Sequence, residues 1–243
     1  MEEDLQMAAE LQNESFLNLL NRQMIKIERE IDGLNIAFNY TQGKRYRIYA
    51  YDGMQIGWIL ERSSGFTHAI RRQVIETHRP FVIDVFDMHM NLAFTITRGF
   101  RLINSDVDVV LPLQSESSKL PNEDLYDSKT HGLIIGSSIG KWHLWKRRYT
   151  LFALDDSANE LCKFAKIDSP ITTWDFVLKD SNGNNIATAY REFSNLVGRV
   201  VTDTGLYFLN FNDITLNARA VMIANIISVD FDYFSKRDGD SRR

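Results

Sequence analysis

The sequence lacks several features that mark secreted and nucleic-acid-binding proteins. It contains one cysteine, Cys162, among 243 residues, which excludes an internal disulfide and a cysteine-based zinc site and predicts a reducing compartment. Lys and Arg number 28 against 32 Asp and Glu, so no overall positive field attracts nucleic acid. We therefore expect a folded protein in a reducing environment with no nucleic-acid partner.

Long hydrophobic runs and N-terminal targeting signals are also missing. The most apolar stretch, Ala220 to Val229, is bounded by charges at Arg219 and Asp230 and is shorter than the roughly 20 residues of a membrane-spanning helix. The N-terminal segment places acidic residues before its first basic residue, Arg22, unlike a signal or transit peptide. We expect neither a transmembrane anchor nor an N-terminal address.

The chain shows no catalytic motif. Its histidines lack paired metal-ligand spacing, and it has no GxSxG sequence, P-loop or GxGxxG sequence. The aspartates between strand-like segments, Asp52, Asp87, Asp155 and Asp180, are typical turn formers. The sequence therefore favours a protein that is not an enzyme.

Two hydrophobic periods organise the chain. From Asp4 to about Glu30, apolar residues recur three and four positions apart, which predicts an amphipathic helix ended by Asp32-Gly33. Later segments are rich in β-branched and aromatic residues and form four hairpin patterns, two before and two after the polar stretch from Pro112 to Lys129. These patterns predict a mainly antiparallel β protein with two similar halves, the polar stretch being either a surface crossover or a linker between two domains.

The C-terminal segment LNARAVMIANIISVDFDYF departs from the β pattern. It contains neither glycine nor proline and is apolar nearly all round over its middle, which predicts a helix buried on most sides. A β chain that ends in such a helix predicts a closed barrel threaded by the helix. The residues expected at the centre are Ala220, Val221, Met222, Ile223, Ile226 and Ile227.

The segment KWHLWKRR is the most distinctive cluster. Its tryptophans can lie at a lipid interface while the adjacent cations meet anionic headgroups. The alternative is a rim where the tryptophans cover the core and the cations are solvated. A second basic group, formed by Arg71, Arg72 and Arg79, is either a further lipid contact or ordinary surface charge. The candidate lipid-contact residues are Trp142, Trp145, Lys146, Arg147, Arg148, Arg71 and Arg72.

The segment TDTGLYFLNFND is a candidate for weak calcium binding. Asp203, Thr204 and Asp213 bracket an apolar strand and supply oxygen ligands, whereas a strong calcium site needs about six to eight oxygens. The alternative is a capped strand followed by the start of a helix. Calcium is therefore the one cofactor that the residues indicate.

Several of these segments resemble the phospholipid scramblases, which share the tubby C-terminal-like fold. The similarity is carried by ARAVMIANIISVDFDYF, RPFVIDVFD and TDTGLYFLNF and extends from about Gln23 to Ser235. HLWKRRYTLF and FAKIDSPITTWDF are especially similar to the fungal mitochondrial branch, which is linked to altered inheritance of mitochondria. The resemblance implies a closed antiparallel barrel of about twelve strands around the hydrophobic C-terminal helix.

The resemblance also implies domains and a function. We expect a helical extension over residues 1–32, a tubby-like barrel domain over 33–236 and a solvated tail over 237–243. The implied function is energy-independent movement of phospholipids between leaflets, with calcium control. The alternative is a peripheral lipid-binding adaptor or scaffold in mitochondrial maintenance, with a protein partner at the N-terminal helix. The implied location is a mitochondrial membrane, or alternatively the plasma membrane.

Overall fold

The computed structural model describes residues 2–30, 43–62, 80–99, 106–113, 126–127, 132–141, 143–155, 157–170, 172–192 and 205–234. Two helices flank the strands in sequence: α1 (Glu2–Leu20) and α2 (Leu216–Phe234). The first strands are β1 (Met24–Arg29), β2 (Arg45–Ala50), β3 (Gln55–Glu61), β4 (Phe81–Asp87), β5 (Leu92–Arg98), β6 (Asp106–Pro112) and β7 (Tyr126–Asp127). The later strands are β8 (Gly132–Lys141), β9 (Lys146–Asp155), β10 (Glu160–Pro170), β11 (Asp175–Lys179), β12 (Asn185–Glu192) and β13 (Leu206–Phe211).

The strands form a closed antiparallel barrel. Each of β1 to β5 pairs with the next strand in the chain, as do β8 to β12, while β6 pairs with β8 and β13 pairs with β1. Twelve strands complete this ring, and β7 pairs with β8 outside it. The predicted barrel is therefore confirmed, and its two halves meet at the β6–β8 and β13–β1 pairs.

The two ends of the barrel differ. The β2–β3, β4–β5, β9–β10 and β11–β12 turns lie at one end, where α1 packs and α2 begins. In each of these turns the aspartate accepts a hydrogen bond from the main-chain N–H two residues later, as expected of a turn former. We call this the α1 end. The β8–β9 connection and the C-terminal part of α2 lie at the opposite end.

The expected N-terminal helix is too long. α1 ends at Leu20, and Met24–Arg29 is a barrel strand whose side chains alternate between half-buried and buried. The barrel therefore begins at β1 and not at residue 33, which corrects the expected domain boundary. The isoleucines of MIKIER lie two apart, which favours a strand over a helix.

α2 passes through the barrel. All six residues predicted at its centre are fully or nearly fully buried, namely Ala220, Val221, Met222, Ile223, Ile226 and Ile227. The helix approaches β8 so closely that a Cβ on Gly136 would collide with Val221, so glycine is needed there. In the described part of the chain, neither helix is both long and apolar enough to cross a membrane.

Candidate lipid-contact site

The connection between β8 and β9 presents apolar side chains to solvent. Leu144 is 64% exposed and Trp145 is 72% exposed. The main-chain N–H of Trp145 donates to Nδ1 of His143 at 3.1 Å, which fixes part of this tight connection. Exposed leucine and tryptophan side by side are suited to an interface because the leucine is apolar and the indole is amphipathic. We call His143, Leu144 and Trp145 the hairpin tip.

Two of the predicted cations lie beside the hairpin tip. Because side chains alternate along a strand, Lys146 and Arg148 share the outer face of β9. Both reach Oδ1 of Asp168 on β10, at 3.2 Å from Lys146 Nζ and 3.4 Å from Arg148 Nε. Slight burial raises the pKa of Asp168, but the hydrogen bond and charge of Lys146, with the charge of Arg148, bring that pKa below its usual value.

Arg147 does not belong to this surface, which corrects one predicted lipid contact. Its side chain faces inward and the residue is 2% exposed. The guanidinium lies 3.7 Å from the ring centroid of Trp174 and 4.6 Å from that of Tyr233, and Nη1 donates to the Thr173 carbonyl at 2.5 Å. Burial lowers the pKa of Arg147. This cation therefore supports the rim from inside and cannot meet a headgroup.

Other predicted contacts fall outside the described residues. Trp142, Arg71 and Arg72 lie in segments that the structure does not describe, so their roles stay predictions. Leu144, in contrast, was not among the predicted contacts, although its position next to Trp145 was a usable signal.

Of the three candidate calcium ligands, Asp213 is the one within the described residues. Asp203 and Thr204 lie outside the described residues, and Asp213 is exposed just after β13. Between Gly205 and Asp213 runs a six-residue strand, which is about 20 Å long. Asp213 therefore lies at the α1 end, far from Gly205. Over the residues that are described, no group of three potential metal ligands is present.

A buried ionic network at the opposite end of the barrel was missed by sequence reasoning. Asp230 on α2 is fully buried. Its carboxylate accepts hydrogen bonds from Tyr207 at 2.6 Å and Tyr46 at 2.7 Å. It also forms ion pairs with Lys44 at 3.0 Å and Arg29 at 3.3 Å. These partners lie on or next to β1, β2 and β13, so they join the helix to both sides of the β13–β1 closure.

The network fixes the charge state of Asp230. Burial alone would raise its pKa, but the charges of Lys44 and Arg29, with the two tyrosine hydroxyls, bring the pKa of Asp230 to about 2. Burial and the neighbouring carboxylate raise the pKa values of Tyr46 and Tyr207. The carboxylate is therefore ionised and both tyrosines are neutral donors near neutral pH.

Comparison with known proteins identifies the family. The model of the family described as Scramblase matches residues 5–236. The Altered inheritance rate of mitochondria protein 25 of Saccharomyces cerevisiae is 35% identical over 236 residues, covering 90% of this chain and 72% of that protein. A phospholipid scramblase family protein of Schizosaccharomyces pombe is 30% identical over 250 residues, covering 91% of this chain and 62% of that protein.

Among solved structures, a LolA superfamily protein from Nitrosomonas europaea matches 86% of this chain and 94% of its own chain, with 9% identity and a TM-score of 0.22. That likeness is too weak to support an argument about fold or function. The two fungal relatives and the family match extend over nearly the whole chain. The chain belongs to the scramblase family.

Proposed function

We propose that this protein acts on phospholipid membranes, binding an anionic bilayer surface through the hairpin tip and promoting energy-independent movement of phospholipids between leaflets. Family membership supports a scramblase-like role. The observation that carries the proposed contact is the exposure of Leu144 and Trp145 beside Lys146 and Arg148 on the outer face of β9. The name of the Saccharomyces relative supports a mitochondrial location, and the plasma membrane is the alternative.

The proposed contact follows from interface physics. Tryptophan favours the headgroup level of a bilayer, where its ring is amphipathic. Each Lys or Arg near an anionic surface contributes about 1 kcal/mol of attraction. Asp168 neutralises part of the charge in solution, but it is exposed and its ion pairs are weak. Anionic headgroups therefore compete with a single carboxylate for Lys146 and Arg148.

Movement of lipids needs more than surface binding. A headgroup must cross about 30 Å of hydrocarbon, which requires a polar path or a thinned bilayer. α2 is enclosed by the barrel and its Asp230 is held by four side chains. We therefore assign bilayer perturbation to the hairpin tip and to association of several copies at the membrane, with α2 kept inside the barrel.

The experiment measures binding and movement together. Purified protein is reconstituted with liposomes that contain a fluorescent, reducible lipid, with and without calcium, and flotation is measured in parallel. Loss of fluorescence beyond the outer-leaflet half supports scrambling. A calcium requirement would support calcium-responsive scrambling. Absence of flotation with anionic liposomes would contradict the proposed membrane contact.

Two matched double variants test the site. Lys146→Glu with Arg148→Glu removes attraction at the hairpin tip, and we expect binding to anionic liposomes to fall about tenfold or more. Lys163→Glu with Lys179→Glu makes the same charge change at exposed positions of β10 and β11. Equal losses in the two variants would show a general charge effect and contradict the site assignment.

A peripheral lipid-binding adaptor is the second candidate function. It is favoured by the burial of α2, because an enclosed helix provides no route across the bilayer. Flotation without additional fluorescence loss would support this adaptor and contradict intrinsic scrambling.

A further inference from the structure

Two turns at the α1 end have the same backbone geometry. One joins β4 to β5 from Asp87 to Asn91, and the other joins β11 to β12 from Asp180 to Asn184. The asparagine N–H donates to aspartate Oδ1 at 2.9 and 2.8 Å, respectively, and the asparagine Nδ2 donates to Oδ2 at 3.0 Å in both. The aspartate N–H donates to the asparagine carbonyl at 3.1 Å in both turns. The second turn is therefore an internal control for the first.

The side chains between these anchors are very different. The second turn contains Ser, Asn and Gly183, all typical of turns. The first contains Met88, His89 and Met90. Met90 has a φ of 64°, where Gly183 has 85°, and left-handed backbone is unfavourable for a side chain such as methionine. The fold itself does not require methionine, since the second turn forms without it.

The two methionines are exposed, and further exposed apolar residues lie on adjacent elements. Met88 is 44% exposed and Met90 is 36% exposed. Gly57 pairs with Asp87, so the β2–β3 turn lies beside the β4–β5 turn. The β2–β3 turn contains Tyr51 and Met54, which are both exposed. Ser15 of α1 donates to Asp87 at 2.7 Å. Leu11, which is exposed, lies one helical turn before Ser15 and is therefore near the β4–β5 turn. We call Leu11, Tyr51, Met54, Met88 and Met90 the methionine face.

Acidic side chains predominate in the three described segments that carry the methionine face. Residues 10–20, 51–54 and 88–91 contain three carboxylates, Glu10, Glu14 and Asp52, and contain neither lysine nor arginine. The cation nearest to these segments in sequence is Arg22, whose Nε donates to the Asn18 carbonyl. Glu10, Glu14 and Asp52 are exposed. This charge repels an anionic lipid surface and attracts cations. The hairpin tip, with its cations, lies at the opposite end of the barrel.

We propose that the methionine face docks a basic amphipathic helix of a partner protein. Methionine is flexible and polarisable, so it adapts to the apolar side of a helix. The surrounding carboxylates complement lysine and arginine on the polar side of that helix. This interaction is separate from the membrane contact and holds whether or not the protein moves lipids.

The test uses a defined peptide as its probe. A fluorescent helical peptide of leucine and lysine, patterned with one apolar face, is titrated into the full-length protein. One control peptide has the same composition in a non-amphipathic order. The other keeps the order but has glutamate in place of lysine. Anisotropy should show that only the amphipathic basic peptide binds, with weaker binding at higher salt. Equal binding of all three peptides would overturn the proposal.

Turn exchange provides the decisive variant. Replacing Met88→Ser, His89→Asn and Met90→Gly copies the second turn into the first and preserves its backbone. We expect peptide binding to weaken about tenfold, since two exposed apolar side chains are removed. Ser181→Ala with Asn182→Ala alters the second turn as a matched control and should leave binding unchanged. Equal peptide affinity in wild type and exchange variant would overturn the proposal.

Two further measurements separate charge and lipid effects. Glu14→Gln with Asp52→Asn removes two carboxylates, and the new asparagine at position 52 still offers an Oδ1 that can accept the turn hydrogen bond from Met54 N–H. This double variant should weaken peptide binding severalfold at low salt. Anionic vesicles of phosphatidylserine and phosphatidylcholine should bind wild type and the exchange variant equally. Loss of vesicle binding in the exchange variant with unchanged peptide binding would make the methionine face a lipid contact and refute the partner-helix proposal.

Discussion

Replacing Asp230 by asparagine tests whether the ionic network holds α2 in the barrel. The substitution keeps the size of the side chain but removes a buried charge that faces Lys44, Arg29, Tyr46 and Tyr207. Two cations are then left without the carboxylate that neutralises them. Breaking a buried ion pair in this way costs about 3–5 kcal/mol of unfolding free energy. We expect a loss of that size in urea unfolding at pH 7.

An exposed carboxylate provides the matched control. Asp168 also faces two cations, Lys146 and Arg148, but its side chain is 49% exposed. Asp168→Asn should therefore cost less than about 1 kcal/mol, as is usual for surface pairs. Both substitutions remove one carboxylate beside two cations, but Asp230 is buried and also accepts hydrogen bonds from Tyr46 and Tyr207. The comparison therefore measures what the buried network adds to a carboxylate beside two cations. Equal losses in the two variants would refute the conclusion that burial makes the Asp230 network important for stability.

The network also predicts a pH dependence with a definite sign. The pKa of Asp230 is about 2 in the folded protein, below its value of about 3.9 in an unfolded chain. The unfolded state binds a proton first as pH falls, so stability is present above pH 4 and is lost towards pH 2. The linkage amounts to roughly 2–3 kcal/mol in total, of which about 1 kcal/mol is lost by pH 3. Asp230→Asn should lack this component, and an unchanged pH profile would contradict the assignment.

Three other substitutions test packing and turns by thermal or urea unfolding. Gly136→Ala should destabilise the protein by about 1–3 kcal/mol, because the added Cβ collides with the central helix. Gly99→Ala, where a Cβ would meet no atom of the described residues within 4 Å, should change stability by less than about 0.5 kcal/mol. Met90→Gly should stabilise by about 0.5–1 kcal/mol by relieving a left-handed methionine, and lower stability would refute strain at this turn. Ser15→Ala should cost about 1–2 kcal/mol, since it removes a buried hydrogen bond to Asp87, and no loss would show that this bond does not anchor α1.

Sequence periodicity was informative where one face of an element is buried. The alternation along RYTLFAL predicts a strand, and it also places Arg147 on the same face as Tyr149 and Leu151. Applying that alternation to the basic cluster would have separated Arg147 from Lys146 and Arg148. The failure arose because clustering in sequence was taken as clustering on a surface.

The Asp230 network could not be predicted in the same way. In sequence, Asp230 only marks the end of an apolar stretch. Two of its partners, Arg29 and Tyr46, lie 201 and 184 residues away. Such contacts depend on barrel closure, which brings β1, β2 and β13 around the end of α2. Local propensity carries no information about that closure.

The two halves of the barrel help to separate what the fold requires from what it leaves free. Tyr46 and Tyr149 each lie six residues before a turn aspartate, and both are buried. The turns that begin at Asp87 and Asp180 retain their anchoring asparagines but differ at every residue between the anchors. Buried and anchoring positions agree because the same barrel geometry constrains both halves. The exposed methionines of the first turn are free of that constraint, so an interaction outside the barrel is the better explanation for them.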